Sequence, residues 1–402
     1  MIFNKRFLIN SLLIFCIIYD ISFVRLPGLT TGRIAFVFIC FKSISDYKST
    51  RFNRDLVYFL SFLALLFTAS LIQYLNSMDF VQSSRILWFS IYSIITPFLL
   101  RKYFLNLEEF LYSILFVTSL QSIIAINSFL NPIVKQSILN SIVVGGNDIE
   151  EGIYRAISFS GSSGAALSVI QFCGVFSGLM LLKYSYHTVL RSTIIWLGIF
   201  CCLLSTLIIG RTGLICSLLS IFYFLFSIIN FKKIVVFSVV ALLISQINFI
   251  SILERQTEGV QGFKVDFFLN WIEDAFALKN NNTAEAISGM PIPPLSLKTI
   301  LGTGEVFDIQ NMKNASGNDS GYIQTYYSLG FILAIAFYIS YFLFLLKETK
   351  NKNVFSLLFI IILMFIIELK EPFIFKYILP FFILNLIFLY NKREKIEPEI
   401  SV

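Results

Sequence analysis

Apolar runs dominate the chain, and most of them are long enough to cross a lipid bilayer, which takes about 20 residues as a helix. Backbone groups in lipid must bond within their own segment, and the alternating ten-residue segments of a β-barrel are missing from the sequence. The runs are therefore predicted to be helices. They lie at about residues 7–24, 31–45, 55–75, 85–100, 110–131, 161–182, 191–209, 212–230, 234–252, 321–346, 354–370 and 373–391.

The composition requires lipid as part of the solvent. Of the 402 residues, 57% are hydrophobic and only 14% are charged, whereas a soluble domain has about 45–50% apolar and about 25% charged residues. So few polar residues cannot cover a soluble surface. A soluble enzyme and a disordered chain are therefore excluded. We predict an all-α, polytopic membrane bundle of about 12 transmembrane helices, with residues 1–402 forming a single membrane domain.

The positive charges predict the orientation of the bundle. Twelve spans place both ends on the same side, and Lys and Arg cluster in the short loops on that side, as at Arg101-Lys102, Lys232-Lys233 and Lys392-Arg393. Cytoplasmic loops carry such an excess, so both termini are predicted to be cytoplasmic. The same rule explains the net charge of +7. Outside the apolar segments the chain has no basic run interleaved with aromatic residues, so the sequence does not indicate a nucleic-acid partner.

Two exterior stretches exceed the length of a turn, and they are predicted to be periplasmic loops at residues 131–160 and 253–320. A third exterior connection is short and charged. Its residues Glu368, Lys370 and Glu371 are predicted to be solvated.

Three arginines near the predicted exterior ends of spans are candidates for a binding site, since ionisable groups beside a span are costly. Arg211 lies in Gly210-Arg211-Thr212-Gly213, Arg155 precedes a Ser/Gly-rich segment at 158–166, and Arg85 begins the fourth span. Ordinary explanations also exist. An arginine can extend to the interface to reach water, and small residues also suit close helix contacts.

The end of the second long loop carries the other candidates. Gly302 and Gly304 permit a tight turn, and Asp319, Ser320 and Tyr322 lie at the start of the tenth span. Asp319 is either an N-cap, accepting a backbone N–H, or a base that activates a hydroxyl.

The residues favour one kind of chemistry. Exterior arginines suit a diphosphate, because the guanidinium binds phosphate oxygens in pairs and keeps its charge. Diphosphate is also a good leaving group, so the reaction needs no cofactor. Six cysteines within apolar stretches and a single histidine, His187, provide no pattern typical of a metal site.

The order of these motifs resembles the O-antigen polymerase (Wzy) family, within the O-antigen ligase and polymerase group of membrane glycosyltransferases. The resemblance implies a GT-C-like fold in the bacterial cytoplasmic (inner) membrane. It implies transfer of a growing glycan from undecaprenyl diphosphate to the non-reducing-end sugar of the next lipid-linked repeat unit, on the periplasmic face. A Wzz-type chain-length regulator is the implied partner, and membrane lipid surrounds the enzyme.

Carried over by position, Arg155 and Arg211 would bind the diphosphate, and Asp319 would orient or deprotonate the acceptor. The remaining candidates are predicted to contact the substrate: Arg85, Gly302, Gly304, Ser320 and Tyr322.

Two alternatives remain open. An O-antigen ligase would transfer the finished polymer to lipid A–core, but the related ligases use an exterior histidine near the end of the large loop, and His187 is predicted to be cytoplasmic. A flippase or transporter would carry charges deep within its spans and show two-fold repeats. In this chain the span interiors hold few charges, with Asp20 and Arg33 as exceptions.

Overall fold

The computed structural model describes residues 5–26, 28–45, 53–143, 156–184, 188–228, 290–308, 313–349 and 355–396. These residues are mostly helical. Arg155, His187, the predicted ninth span at 234–252 and residues 253–289 of the second long loop lie outside the described residues.

Most of the described helices follow the predicted apolar runs, whereas two short ones lie within the stretches predicted as loops 131–160 and 253–320. The described helices are α1 (Lys5–Tyr19), α2 (Thr31–Ser45), α3 (Arg54–Ser77), α4 (Val81–Trp88), α5 (Thr96–Leu100), α6 (Leu107–Leu130), α7 (Pro132–Ser141), α8 (Gly164–Tyr184), α9 (Val189–Ile209), α10 (Arg211–Ile228), α11 (Leu297–Leu301), α12 (Gly321–Leu329), α13 (Phe331–Glu348), α14 (Phe355–Ile367) and α15 (Ile378–Ile396). A π-helical turn, Phe89–Ile95, joins α4 to α5. In the part of the chain that the structure describes, strands are limited to two-residue segments, among which β1 (Phe307–Asp308) pairs antiparallel with β2 (Lys313–Asn314).

Six helices of the described residues are long and apolar enough to cross a membrane, which is typical of a helical membrane protein. They are Arg54–Ser77, Val81–Leu100, Leu107–Leu130, Gly164–Tyr184, Val189–Ile209 and Phe331–Glu348. Shorter apolar helices cover Arg211–Phe226, Phe355–Ile367 and Ile378–Tyr390. The count of twelve spans stays a prediction.

The tenth predicted span, residues 321–346, is not one helix. It is divided into α12 and α13 at Gly330, whose φ of +96° lies in the left-handed region. A side chain here would lie 2.5 Å from the carbonyl oxygen of Ile300. Only glycine therefore allows the bend at residue 330 to pack against the backbone at Ile300. The prediction of one continuous span was wrong, because hydropathy does not report a backbone bend between two apolar helices.

The chain packs as two compact units. The first comprises Met1–Ser22, Leu26–Ser113 and Gly289–Val402. The second comprises Phe23–Arg25 and Ile114–Ser288.

Stacked aromatic rings fill the core of the first unit. Phe59 of α3 stacks on Phe344 of α13 with ring centroids 4.5 Å apart. Phe337 stacks on Phe375 at 5.0 Å and meets the edge of Phe89 at 5.6 Å. Such ring pairs stabilise by about 0.5–1.5 kcal/mol beyond the burial of their area. They fix α13 against α3 and against the π-helical turn.

In the second unit, glycine lets the helices approach closely. The backbone N–H of Gly213 donates to Ser168 Oγ at 3.0 Å, and a side chain at Gly213 would lie 2.8 Å from Ser168 Cβ. A side chain at Gly178 of α8 would overlap Ile199 of α9. Small residues at helix interfaces are the usual means of close packing in membranes.

Candidate functional site

The loop that carries Gly302 and Gly304 covers the C-terminal end of α12. Thr303 donates its backbone N–H to the carbonyl of Tyr327 at 3.0 Å, and Gly304 donates to the carbonyl of Ser328 at 2.9 Å. Helix ends leave their last carbonyls unpaired unless other groups reach them. The loop therefore serves as a cap for α12, the short helix that begins beside Asp319.

Gly302 and Gly304 both have positive φ, of +89° and +76°. A side chain at Gly302 would lie 2.6 Å from the carbonyl oxygen of Leu329, and one at Gly304 would lie 2.9 Å from the carbonyl oxygen of Gln73. Both glycines are thus required by the approach of this loop to α3 and α12. Their contact with a substrate stays a prediction.

Gln73 was not singled out from the sequence, although it holds the loop from the side of α3. Its amide Nε2 donates to the carbonyls of Leu301 and Leu329, at 2.6 and 2.9 Å. Asp79 plays a similar part, since its Oδ2 accepts the backbone N–H of Val306 at 2.7 Å. Polar residues within or beside an apolar run were the only available signal for both.

Asp319 is exposed, and its carboxylate is held by a neighbouring side chain. Its Oδ1 accepts from Asn314 Nδ2 at 2.6 Å. Ser320, not Asp319, is the N-cap residue of α12, and the N–H of Ser320 donates to Asn318 Oδ1 at 2.9 Å. The alternative that Asp319 is only an N-cap was therefore wrong. Its carboxylate faces solvent with one amide partner.

Arg85 and Asp319 belong to one hydrogen-bond network, and Gln324 joins them. Arg85 is half-buried in α4 and donates from Nη1 to Gln324 Oε1 at 3.1 Å. Gln324 Nε2 in turn donates to the backbone carbonyl of Asp319 at 3.1 Å. Among the ion pairs of the described residues, none includes Arg85. The site thus holds a fixed cation whose direct partner is a neutral amide.

Glu368 is completely buried, so its prediction as a solvated residue was wrong. Its Oε1 accepts from Tyr338 at 2.9 Å, and its Oε2 accepts the N–H of Ile374 at 2.8 Å. Its backbone carbonyl accepts the N–H of Gly321 at 2.9 Å. Burial raises the pKa of the Glu368 carboxyl to about 7, although the hydrogen bonds from the Ile374 N–H and the Tyr338 hydroxyl and the charges of Arg85 and Lys376 act to lower it. The carboxylate of Glu368 therefore joins α13 to the turn before α15, and its backbone carbonyl joins α12.

Tyr322 contributes its ring to the same region. Its hydroxyl donates to the carbonyl of Phe365 at 2.8 Å, and its ring centroid lies 4.5 Å from that of Tyr338. The side chain is half-buried, as is Ser320. These contacts hold the first turn of α12 against α13 and α14.

Arg211 belongs to the second unit, where it begins α10 and is half-buried. The glycines on either side of it pack against α8, as described for Gly213. In the Ser/Gly-rich segment, Ser158 and Ser160 are buried, and Ile157 exchanges hydrogen bonds with Ser128. Small residues in these two motifs thus make close packing contacts, which was the ordinary explanation for them.

The first unit thus places Arg85, Asp319, Ser320, Tyr322 and the buried Glu368 around the start of α12. A fixed cation, an exposed carboxylate and a buried carboxylate allow the binding of an anion and the transfer of a proton. Within the described residues, no group of three or more His, Cys, Asp or Glu side chains is placed to hold a metal. No protein-family model, no curated protein and no solved structure matches the chain.

Proposed function

We propose that this chain is a polysaccharide polymerase of the O-antigen (Wzy) type, a membrane glycosyltransferase with about twelve spans and a GT-C-like fold. In this proposal it lies in the bacterial cytoplasmic membrane with both ends in the cytoplasm. Its donor and acceptor are oligosaccharide repeat units on undecaprenyl diphosphate, on the periplasmic face. A Wzz-type regulator would set the length of the polymer.

The observation that supports this proposal most is the placement of Arg85. It is a half-buried cation near the start of an apolar helix, and its hydrogen-bond partner is the neutral side chain of Gln324. A guanidinium so placed retains donors for an anion that arrives from the lipid side. A diphosphate on a polyprenyl chain is such an anion, since its charged head lies at the membrane interface while its tail remains in lipid.

The proposed reaction is a displacement at the sugar carbon that carries the diphosphate. The acceptor hydroxyl oxygen forms the new bond to this carbon, and the bond from the carbon to the diphosphate oxygen breaks. The hydroxyl proton passes to the Asp319 carboxylate, and the electron pair leaves with undecaprenyl diphosphate. Arg85 stabilises the charge that develops on the leaving group. The roles predicted for Arg211 and Arg155 are also those of diphosphate ligands.

A polysaccharide gel from a deletion strain tests the proposal against its two alternatives. We expect lipid A–core that carries a single repeat unit, because the ligase is a separate protein in this proposal. Bare core with accumulated lipid-linked polymer would instead indicate a ligase. Lipid-linked units retained inside the cell would indicate a flippase.

Alanine at Asp319, Arg211 or Arg155 is expected to abolish the long polysaccharide when each variant is returned to the deletion strain. The protein should still insert, because Asp319 is exposed and Arg211 is half-buried. Gel electrophoresis measures the polymer, and an epitope tag measures the amount of protein in the membrane. A normal ladder for all three variants at equal protein level would contradict the assigned residues.

A further inference from the structure

Glu368 is a buried carboxylate that the proposed reaction does not use. Its side chain has no exposed surface, and hydrogen bonds from Tyr338 and from the N–H of Ile374 occupy one oxygen each. Removal from water disfavours the charged form of a carboxyl group, and the pKa of about 7 places its titration near neutral pH. Both protonation states are therefore populated under ordinary conditions.

A chain of hydroxyl groups satisfies Glu368 in either state. The Tyr338 hydroxyl lies 3.0 Å from Thr325 Oγ1, which lies 2.7 Å from the carbonyl oxygen of Gly321. With Glu368 ionised, Tyr338 donates to the carboxylate. With Glu368 protonated, Glu368 donates to Tyr338, and Tyr338 donates to Thr325. Thr325 then donates to Gly321, so no buried group loses its partner when the proton arrives.

The charges that face Glu368 come from every element around it. Positive charges on Arg85 and Lys376 favour its ionised form. The ammonium of Lys376 is paired with Glu371. Besides these groups, the tyrosines on α12 and α13 interact with its charge: Tyr322, Tyr338 and Tyr341.

Arg85 and Glu368 are both linked to one turn of α12, since Arg85 donates to Gln324 Oε1 and Glu368 reaches the adjacent Thr325 through the hydroxyl of Tyr338. An ionised Glu368 therefore offsets part of the positive charge that Arg85 presents to a ligand. When Glu368 is neutral, the full charge of Arg85 acts on an anion. The protonation of Glu368 thus changes how strongly the Arg85 guanidinium attracts an anion, without a change in the position of Arg85.

We propose that Glu368 is a positioning residue that takes up one proton from solvent, on its carboxylate oxygen, when the diphosphate of a lipid-linked donor binds at Arg85. This proposal rests on the proposed function, because it takes Arg85 as a diphosphate ligand. A nearby anion disfavours the charged carboxylate, so binding promotes protonation. By reciprocity, a lower pH strengthens the binding of the anion.

The test uses the purified full chain in nanodiscs and titration calorimetry with inorganic pyrophosphate and with sulfate. Sulfate keeps its charge between pH 6 and pH 8, so it isolates the titration of the protein. If the anion raises the proton affinity of Glu368 by about tenfold, binding should be about fivefold tighter at pH 6 than at pH 8. Glu368→Gln should bind tightly at both pH values and remove this dependence. Glu108→Gln, the same change in the first turn of α6, should retain it.

Proton uptake provides a second measurement that needs no variant. At pH 7, the binding enthalpy should depend on the ionisation enthalpy of the buffer, as expected when the complex takes up a fraction of a proton. A buffer-independent enthalpy with sulfate would overturn the proposal even if Glu368→Gln failed to fold. Equal pH dependence in Glu368→Gln and in the wild type would overturn it too. So would unchanged anion affinity in Arg85→Gln.

A third probe tests the lipid-linked source of the diphosphate. Farnesyl diphosphate should bind at least tenfold tighter than inorganic pyrophosphate and show the same coupling. No gain in affinity would overturn the assignment to a lipid-linked donor. The polysaccharide gel tests the proposed function independently of these binding measurements. If the deletion strain kept its polymer while the purified chain still showed pH-dependent anion binding, the polymerase function would be rejected and the coupling of Glu368 to the anion would stand.

Discussion

Arg85→Ala is expected to abolish long-chain polysaccharide while the protein remains in the membrane. Arg85 is half-buried and donates to Gln324 at 3.1 Å, so its removal takes away one hydrogen bond and the cation of the site. Loss of a group that stabilises charge in the transition state typically lowers the rate by about 100-fold or more. We expect that reduction in the rate of chain extension on a lipid-linked repeat unit, measured in membrane vesicles.

Arg85→Lys tests whether a positive charge is sufficient or whether the paired N–H donors of the planar guanidinium are also needed. Lysine keeps the charge but has no paired donors for two phosphate oxygens, so less than about a tenth of the wild-type rate should remain. Arg54→Ala is the matched control. It makes the same charge change at the exposed first residue of α3, where the guanidinium donates to the hydroxyl of Tyr58, and it should leave the rate unchanged. A wild-type rate in Arg85→Ala would remove Arg85 from the site.

Gln324→Leu would show how far Arg85 depends on its amide partner. The substitution removes the acceptor of Arg85 and the donor to the carbonyl of Asp319. We expect the Michaelis constant for the donor to rise about tenfold, since the cation loses its fixed orientation. A change confined to the maximal rate would instead point to a role in the chemical step.

Most helices could be predicted from the sequence, because the length of an apolar run is a local property. The run at 161–182 became α8, and the run at 191–209 became α9. The division at Gly330 could not be predicted in the same way. It depends on the carbonyl of Ile300, a residue 30 positions earlier that the fold brings against the bend.

The site could be predicted only in part. Arg85 and Asp319 were identified because a charge beside a span is costly, and the structure joins them through Gln324. Glu368 was placed in water because charged residues in a short turn are usually solvated. Its burial comes from contacts with Tyr338 and Gly321 on two other helices, and no local pattern reports such contacts.

Glycine in these motifs is compatible with two roles, which are the approach of a ligand to the backbone and the close packing of helices and loops. Gly213 is needed because α10 approaches Ser168 of α8, and Gly304 is needed because its loop approaches Gln73 of α3. In each case the backbone contact explains the glycine without a ligand. The charged neighbours of such glycines, rather than the glycines themselves, are then the informative part of a motif.

Gly321 is the position where a single methyl group should have the largest effect on the fold of the site. A side chain here would overlap the carboxylate of Glu368 and lie 2.7 Å from the Cα of Pro372. The backbone N–H of Gly321 also donates to the carbonyl of Glu368, so the two segments cannot separate without losing this bond. Neither neighbour is the free end of a flexible chain, and relief would require the turn after α14 to move.

Gly321→Ala should therefore destabilise the protein by about 2–3 kcal/mol, as overpacking of a tight contact does. Thermal unfolding of the detergent-solubilised protein, followed by size-exclusion chromatography, measures the effect as a lower transition temperature. Ser320→Ala is the matched control, because the hydroxyl of this N-cap residue makes no capping bond to α12, and its transition should match the wild type. If Gly321→Ala were as stable as Ser320→Ala, the first turn of α12 would not be packed against Glu368. The proton-dependent coupling of Glu368 to Arg85 would then lose its structural basis.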